Sequence, residues 1–202
     1  VYTEPLSEKS FLIFKYGLTI AKNDAERITS NTGGNLVDSL SNHFIFNTVN
    51  NSGSLSYRYV AKKVNFIIGS GVGTANYQLN DLEFGTNRGI NFTNFIPSVS
   101  FNYNPKQQRK LRLNYSGSTV NPTLMQIQPI VDNTDPLNVL VGNPELKQAF
   151  TNEFRFNIGD YKVLKSRSIS MWVDYGNTNN AITNSSEIDA KGKRVSKYVN
   201  VD

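Results

Sequence analysis

The chain has 202 residues, 38% of them hydrophobic, with 21 Lys and Arg against 16 Asp and Glu, a net charge of +5. No uninterrupted apolar run approaches the roughly 18 residues that a membrane-spanning helix needs, and the absence of cysteine excludes disulfides, a thiol nucleophile and a Cys-based zinc site. A single histidine, His43, excludes a multi-histidine metal centre.

The chain starts at Val1 with no initiator Met and no signal peptide, and reads as an excised or processed piece. Residues 10–21, "SFLIFKYGLTIA", have period two: Leu12, Phe14, Tyr16, Leu18 and Ile20 fall on one face, and Phe11, Ile13, Lys15, Gly17 and Thr19 on the other, which turns polar toward its end. A polar stretch follows to about residue 51. The second strand, 53–61, sets Leu55, Tyr57 and Tyr59 against Ser54, Ser56 and Arg58. Only Lys62 and Lys63 separate it from a third, 64–77, which predicts a tight hairpin.

Polar residues 78–91 lead to a fourth strand, where Phe95, Pro97, Val99, Phe101 and Tyr103 oppose Ser98, Ser100 and Asn102. The turn "NPKQQRK" precedes a fifth, with Leu111, Leu113 and Tyr115 against Lys110, Arg112, Asn114 and Ser116. Residues 121–150 then break the alternation. They hold four of the seven prolines, Pro122, Pro129, Pro136 and Pro144. Outside a sheet, proline costs no ladder hydrogen bond and fixes φ, so the segment reads as a shaped outer loop. Its "NPTLMQIQ" predicts a short helix with Asn121 as N-cap and Pro122 at the first helical position.

A sixth strand sets Phe150, Phe154, Phe156 and Ile158 against Thr151, Glu153, Arg155 and Asn157. Past the turn "GDYKVLKS", a seventh sets Ile169, Met171, Val173 and Tyr175 against Ser168, Ser170, Trp172 and Asp174. Residues 181–201 read as two shorter strands around "DAKGKR".

The connections run long, short, medium, short, long, short, long. A transmembrane barrel supplies a reason, because its periplasmic turns are short and its outer loops longer, and each of its strands needs only about 9–11 residues with one apolar face. Tyr59, Tyr77, Tyr103 and Tyr175, near strand ends, suit an interfacial girdle. An antiparallel sandwich shows the same alternation of faces. The residue pattern therefore leaves two folds open.

Chemistry-bearing motifs are sparse. "GSGVG" at 69–73 lies inside a strand and lacks the spacing of a phosphate loop, so Gly69, Gly71 and Gly73 read as strand curvature or cover by neighbouring aromatics. "DNTDPLN" offers hard oxygen ligands but no EF-hand glycine or terminal glutamate, which favours Asx turns over calcium. No triad or zincin signature occurs, and neither a catalytic role, a metal nor a cofactor is expected. Basic runs at Lys62–Lys63, 106–110, 162–167 and 191–197 fall between alternating stretches, which places them in turns and speaks against nucleic acid. Asn is abundant, with 27 residues, as suits many turns. Candidate loop contacts are Asp81, Glu83, Arg88, Gln126, Gln128, Asp132 and Asp135.

Residues 115–156, "YSGSTVNPTLMQIQPIVDNTDPLNVLVGNPELKQAFTNEFRF", carry "NPT" after a strand, "QIQP", "DNTDPLN" and "GNPELK" leading into the next strand. This set resembles the barrel region of TonB-dependent-receptor-like outer-membrane proteins of the β-barrel family common in Bacteroidetes. "YTEPLSEKSFLIFKY", "NFTNFIPSVSFNY" and "ITNSSEIDAKGKRVSKYVNVD" look like the same family in the same order, so the resemblance covers nearly the whole chain.

The resemblance implies an all-β fold, an antiparallel up-and-down meander forming a partial transmembrane barrel. It implies about 7–9 strands of a larger barrel of about 22, with residues 1–202 as one incomplete barrel segment lacking the plug. It also implies residence in the outer membrane and uptake of an unknown small or oligomeric nutrient by the intact protein, coupled to the TonB system only through regions not present here. The lipid face would comprise Leu12, Phe14, Leu18, Leu55, Tyr57, Val99, Phe101, Leu111, Leu113, Phe154, Phe156, Met171 and Val173. On its own the segment is expected to self-associate. The rival expectation is a soluble β-sandwich that binds glycans through its long loops.

Overall fold

The computed structural model describes residues 1–28, 33–34, 42–82, 85–127, 131–135, 137–162, 166–189 and 192–202. Its strands are β1 (Tyr2–Ser7), β2 (Ser10–Arg27), β3 (Asn42–Val60), β4 (Val64–Asp81), β5 (Thr86–Lys106) and β6 (Arg109–Val120). A one-turn helix α1 (Leu124–Ile127) precedes β7 (Val131–Asp135), β8 (Asn138–Val141), β9 (Ala149–Lys162), β10 (Arg167–Asn179), β11 (Ala181–Ile188) and β12 (Arg194–Val201). Among the described residues no helix is long and apolar enough to cross a membrane.

Eight strands form one sheet in the order β1-β2-β3-β4-β5-β6-β9-β10, and every neighbouring pair is antiparallel. It is an up-and-down meander, interrupted in sequence only by the segment that holds α1, β7 and β8. The register assigns every residue to a face. Leu12 pairs with Tyr57, Ile68 with Val99, Tyr115 with Phe154 and Phe154 with Tyr175, so the apolar series of all the strands lie on one side. The thirteen lipid-face residues named above all take that side. They are not buried between layers: Phe14 is 48% exposed, Leu55 51%, Leu113 41% and Val173 51%. The sandwich expectation fails here, since an aqueous sandwich hides this face.

The outer apolar band drifts along the register. It runs from Ile169 to Tyr175 on β10, from Tyr103 to Phe95 on β5 and from Leu12 to Ile20 on β2. Such a drift is what tilted strands require to hold a level band in a membrane. Tyr115, Phe154 and Tyr175 stack along its upper edge at centroid separations of 4.7 and 6.2 Å. Tyr59 and Tyr103 lie at the lower edge. Asn51, an amide on the outer face, accepts a hydrogen bond from the Tyr16 hydroxyl at 2.9 Å.

Strands β2, β3, β4 and β5 run to 18, 19, 18 and 21 residues, well past the roughly 9–11 that span a bilayer. The excess stands beyond the band at the long-connection rim, where Lys22, Asn47, Asn76, Gln78 and Asn91 make the outer face polar too. Within stretches 22–51 and 78–91, expected as loops, residues 22–27, 42–51, 78–81 and 86–91 are thus strand. The outer face there is no longer oily, so the outer apolar series that marks a strand disappears.

A central strand rarely carries proline, because one ladder donor is lost. Pro97 stands in β5, and the β5–β6 ladder ends just beside it, at Ser98–Ser116. Above that point the Thr119 hydroxyl takes over: the Phe95 N–H donates to its Oγ1 at 3.0 Å, and the hydroxyl lies 3.3 Å from the Phe95 carbonyl. Gly117 makes room for the ring, since a Cβ there would meet Pro97 Cγ at 2.7 Å and Phe150 Cζ at 2.8 Å.

Strands β11-β12-β8-β7 form a second, four-stranded sheet. The tail strands β11 and β12 pair as expected, but they leave the meander at Asn180, whose φ is +52°. Strand β12 then pairs in parallel with β8, Val195 beside Val139. The prolyl segment is therefore half of a sheet and not an unpaired loop.

Candidate functional site at the long-connection rim

The turns 8–9, 61–63, 107–108 and 163–166 lie at one rim, and the connections 28–41, 82–85 and 121–148 at the other. Five of the candidate contacts fall at this second rim with a described backbone. Asp81 closes β4 opposite Thr86, and Arg88 is exposed on the inner face of β5 opposite Leu79. Asp132 and Asp135 lie on β7, and their side chains are outside the described residues, as are Glu83 and Gln128 altogether.

Gln126 is occupied in holding the loop together. Its Oε1 accepts the Thr123 N–H at 2.8 Å, and its carbonyl accepts the Asn143 N–H at 2.6 Å. The N–H groups of Gln126 and Ile127 in turn donate to the Thr123 carbonyl. The helix is therefore capped at Thr123, two residues later than the Asn121 cap the sequence predicts. Pro122 is instead fully buried, and Ile127, Val139, Leu146 and Ala149 of the same stretch are buried as well.

Amides tie the 121–148 connection to the C-terminal hairpin β11–β12 and to the wall. Asn143 Nδ2 donates to the Tyr198 carbonyl at 2.9 Å. Asn200 accepts the Lys147 N–H at 2.8 Å and donates to the carbonyls of Lys147 and Asn180. Gln148 Nε2 lies 2.7 Å from both Asn94 Oδ1 and Asn121 Oδ1, bridging β5 to the start of the connection. Sequence reading missed these residues. Asn abundance signals turns, and nothing local distinguishes an amide that bridges from one that turns.

Just inside this rim, Tyr77 of β4 sits edge-on between Phe46 of β3 and Phe92 of β5, at 5.3 Å from each. The register puts Tyr77 on the inner face, so it belongs to this cluster and not to the interfacial girdle expected for it. Phe44, Phe46, Ala75 and Phe92 are buried on the same face, and Tyr77 is half-buried. Such edge-to-face pairs add about 0.5–1.5 kcal/mol each beyond area burial, which stiffens the tall part of the wall.

Below the cluster the inner face is small and polar. Gly69, Gly71 and Gly73 oppose Ser56, Ser54 and Ser52. A Cβ on Gly71 would stand 2.9 Å from Ser54 Cβ and 3.0 Å from the Gly53 carbonyl oxygen. The glycines thus permit a close approach of β3, and serines take the place of the aromatic cover anticipated for them. Asn50 and Asn65 each keep a buried Oδ1 without a hydrogen-bond partner among the described residues. An open hollow of about 350 Å³, lined by Lys110, Asn157, Tyr161 and Ser170 among others, lies at the opposite, short-turn rim.

His43 binds Asp24 Oδ1 through Nε2 at 2.8 Å on the outer face of the tall wing. Among the described residues no His, Cys, Asp and Glu cluster is arranged to hold a metal ion.

A family model described as "Outer membrane protein beta-barrel family" matches residues 1–202. No curated protein matches the chain. Among solved structures, the siderophore receptor PirA from Pseudomonas aeruginosa matches with a TM-score of 0.40 and 11% identity, over 99% of this chain and 49% of that one. The chain thus spans about half the length of that receptor.

Proposed function

The chain belongs to the outer membrane protein β-barrel family and resides in the outer membrane, and from that premise we propose that it forms part of the wall and outer loops of a TonB-dependent-receptor-type nutrient importer of the Bacteroidetes kind. In this reading, lipid covers the oily outer face. The polar inner face borders the route that a small or oligomeric nutrient follows, and the TonB system acts through other parts of the intact protein. We assign the chain no catalytic step.

The observation that carries the reading is the joining of the 121–148 connection to the C-terminal hairpin β11–β12 at one rim, through the parallel pairing of β8 and β12. A purely structural barrel needs no such construction, whereas a receptor needs an ordered surface over its mouth. The glycine- and serine-lined inner wall and the unpartnered amide oxygens of Asn50 and Asn65 add support, since both suit a polar occupant.

The test replaces residues 123–147 of the intact protein with a short Gly-Ser linker and compares growth on a panel of single nutrients. Unchanged outer-membrane insertion with loss of growth on one nutrient supports the reading. Growth on every nutrient equal to that of the parent rejects it, and growth that persists without an energised inner membrane rejects the TonB part.

A further inference from the structure

Three of the four basic runs of the sequence converge on the short-turn rim. Lys62 and Lys63 occupy the β3–β4 turn, Lys106 pairs with Arg109 across the β5–β6 turn, and Arg167 pairs with Lys162 across β9–β10. All are exposed except Lys162, which is half-buried. On the outer face these cations continue the apolar series directly. Arg109 precedes Leu111 on β6, and Arg167 precedes Ile169 on β10, in each case as the next residue on the same side.

Among the described residues, counter-charge at this rim is limited to Glu8, beside Lys9 in the β1–β2 turn, and Asp160. Asp160 lies past Ile158, the last apolar outer residue of β9, and therefore outside the band. It accepts a hydrogen bond from Arg109 at 2.7 Å. That bond holds its carboxyl below the usual carboxylate range, and the charges of Lys162 and Arg167 act in the same direction. One carboxylate among three cations leaves a positive surplus. The outer face toward the opposite rim is built differently, with amides Asn47, Asn76, Gln78 and Asn91 around Lys22 and with Asp24 hydrogen-bonded to His43.

We propose that the short-turn rim is a binding surface for anionic phospholipid headgroups in the periplasmic leaflet. Short turns of such barrels face the periplasm. Lys and Arg bordering an apolar band lay their stems along it and present their charge at headgroup depth. Each such cation favours an anionic bilayer surface by about fivefold. Continuity with the lipid-covered band selects lipid over an acidic soluble protein, which has no need for cations aligned on that border. The surface lies on the outer face, so it stands whether or not the inner face conducts a nutrient.

The test reconstitutes the intact protein into phosphatidylcholine vesicles containing phosphatidylglycerol. It measures the annular preference for spin-labelled phosphatidylglycerol over spin-labelled phosphatidylcholine. The parent protein shows a severalfold preference, which falls toward unity at about 1 M salt, where the screening length is about 3 Å. The combined Lys62→Gln, Lys63→Gln, Lys106→Gln and Lys162→Gln variant loses most of that preference, whereas Lys22→Gln, toward the other rim, keeps it. The salt series on the parent protein decides the matter even if the combined variant does not insert. Absence of a preference in the parent overturns the proposal. So does a preference that salt and the four substitutions leave intact, or an acidic polypeptide bound at this rim without any lipid preference.

Discussion

Phe101 of β5 and Leu113 of β6 are direct cross-strand partners on the outer face. The row extends through Phe66 and Tyr59 on one side and through Phe156 and Val173 on the other. Six successive strands thus place an apolar side chain at one register level, with none of these residues covered by a second sheet. Leu113 sits midway between Leu111 and Tyr115 in the series of its own strand. Leu113→Arg is expected to cost about 2–4 kcal/mol, the penalty for a cation at the bilayer midplane. Asn114→Arg, one residue on and facing inward, should cost under about 1 kcal/mol. Reversible urea unfolding of the intact protein in lipid vesicles measures both. Equal costs would show the two faces to be misassigned.

Gly117 is expected to tolerate no side chain. The pyrrolidine ring of Pro97 cannot rotate away, and Phe150 closes the other side. Gly117→Ala should destabilise the intact protein by about 1–3 kcal/mol through overpacking. Gly53→Ala, on the outer face of β3 with open space around the new methyl, is the control. A neutral Gly117→Ala in the same vesicle assay would mean that β5 and β6 separate further than the structure shows.

The legible part of the fold was the part in contact with lipid. Leu111, Leu113 and Tyr115 announce a strand because lipid on one side and water on the other impose opposite chemistry on neighbouring residues. Where strands rise clear of the band that contrast ends, and Asn76 and Gln78 look no different from loop residues. Tyr77 lies near a strand end, as a girdle residue does, but its parity puts it on the other face. Counting from Val64 and Phe66 on the outer face puts residue 77 on the inner one. The candidate site was legible only as a position along the chain. Its prolines marked a shaped segment, but the pairing of Val139 with Val195 joins residues far apart in sequence, and no local pattern encodes such a contact. Gln126 reads in the sequence as a polar loop residue, and the structure uses its amide to close a helical turn.

Asn200 is expected to be the most sensitive residue of the outer assembly. It donates to two carbonyls and accepts one N–H, linking β12 to residue 147 and to the bend at Asn180. Asn200→Asp keeps the acceptor but turns a carboxylate toward two carbonyl oxygens, so it should be worse than Asn200→Ala. Loss of partners for such groups costs about 1–3 kcal/mol. Hydrogen exchange of the intact protein should show β8 and β12 losing protection together, with β9 unchanged. Loss confined to β12 would show that the 121–148 connection and the C-terminal hairpin are not coupled.

The isolated 202-residue chain is expected to self-associate in water. Among the described residues, β1 and β10 bound the eight-stranded sheet, and neither pairs along its outer edge within it. Such edges invite pairing with a second chain. The outer face adds contiguous exposed apolar surface around Phe14, Leu55, Phe154 and Met171, of a kind that monomeric soluble proteins rarely present beyond a few hundred Å². Edge pairing and face burial act together, because docking a second sheet edge to edge also narrows the exposed band. Analytical ultracentrifugation without detergent should therefore give dimers or larger species, and lipid or detergent should shift them toward smaller ones. A monodisperse monomer in plain buffer, with its oily face still accessible to a hydrophobic dye, would contradict the two-sided wall itself.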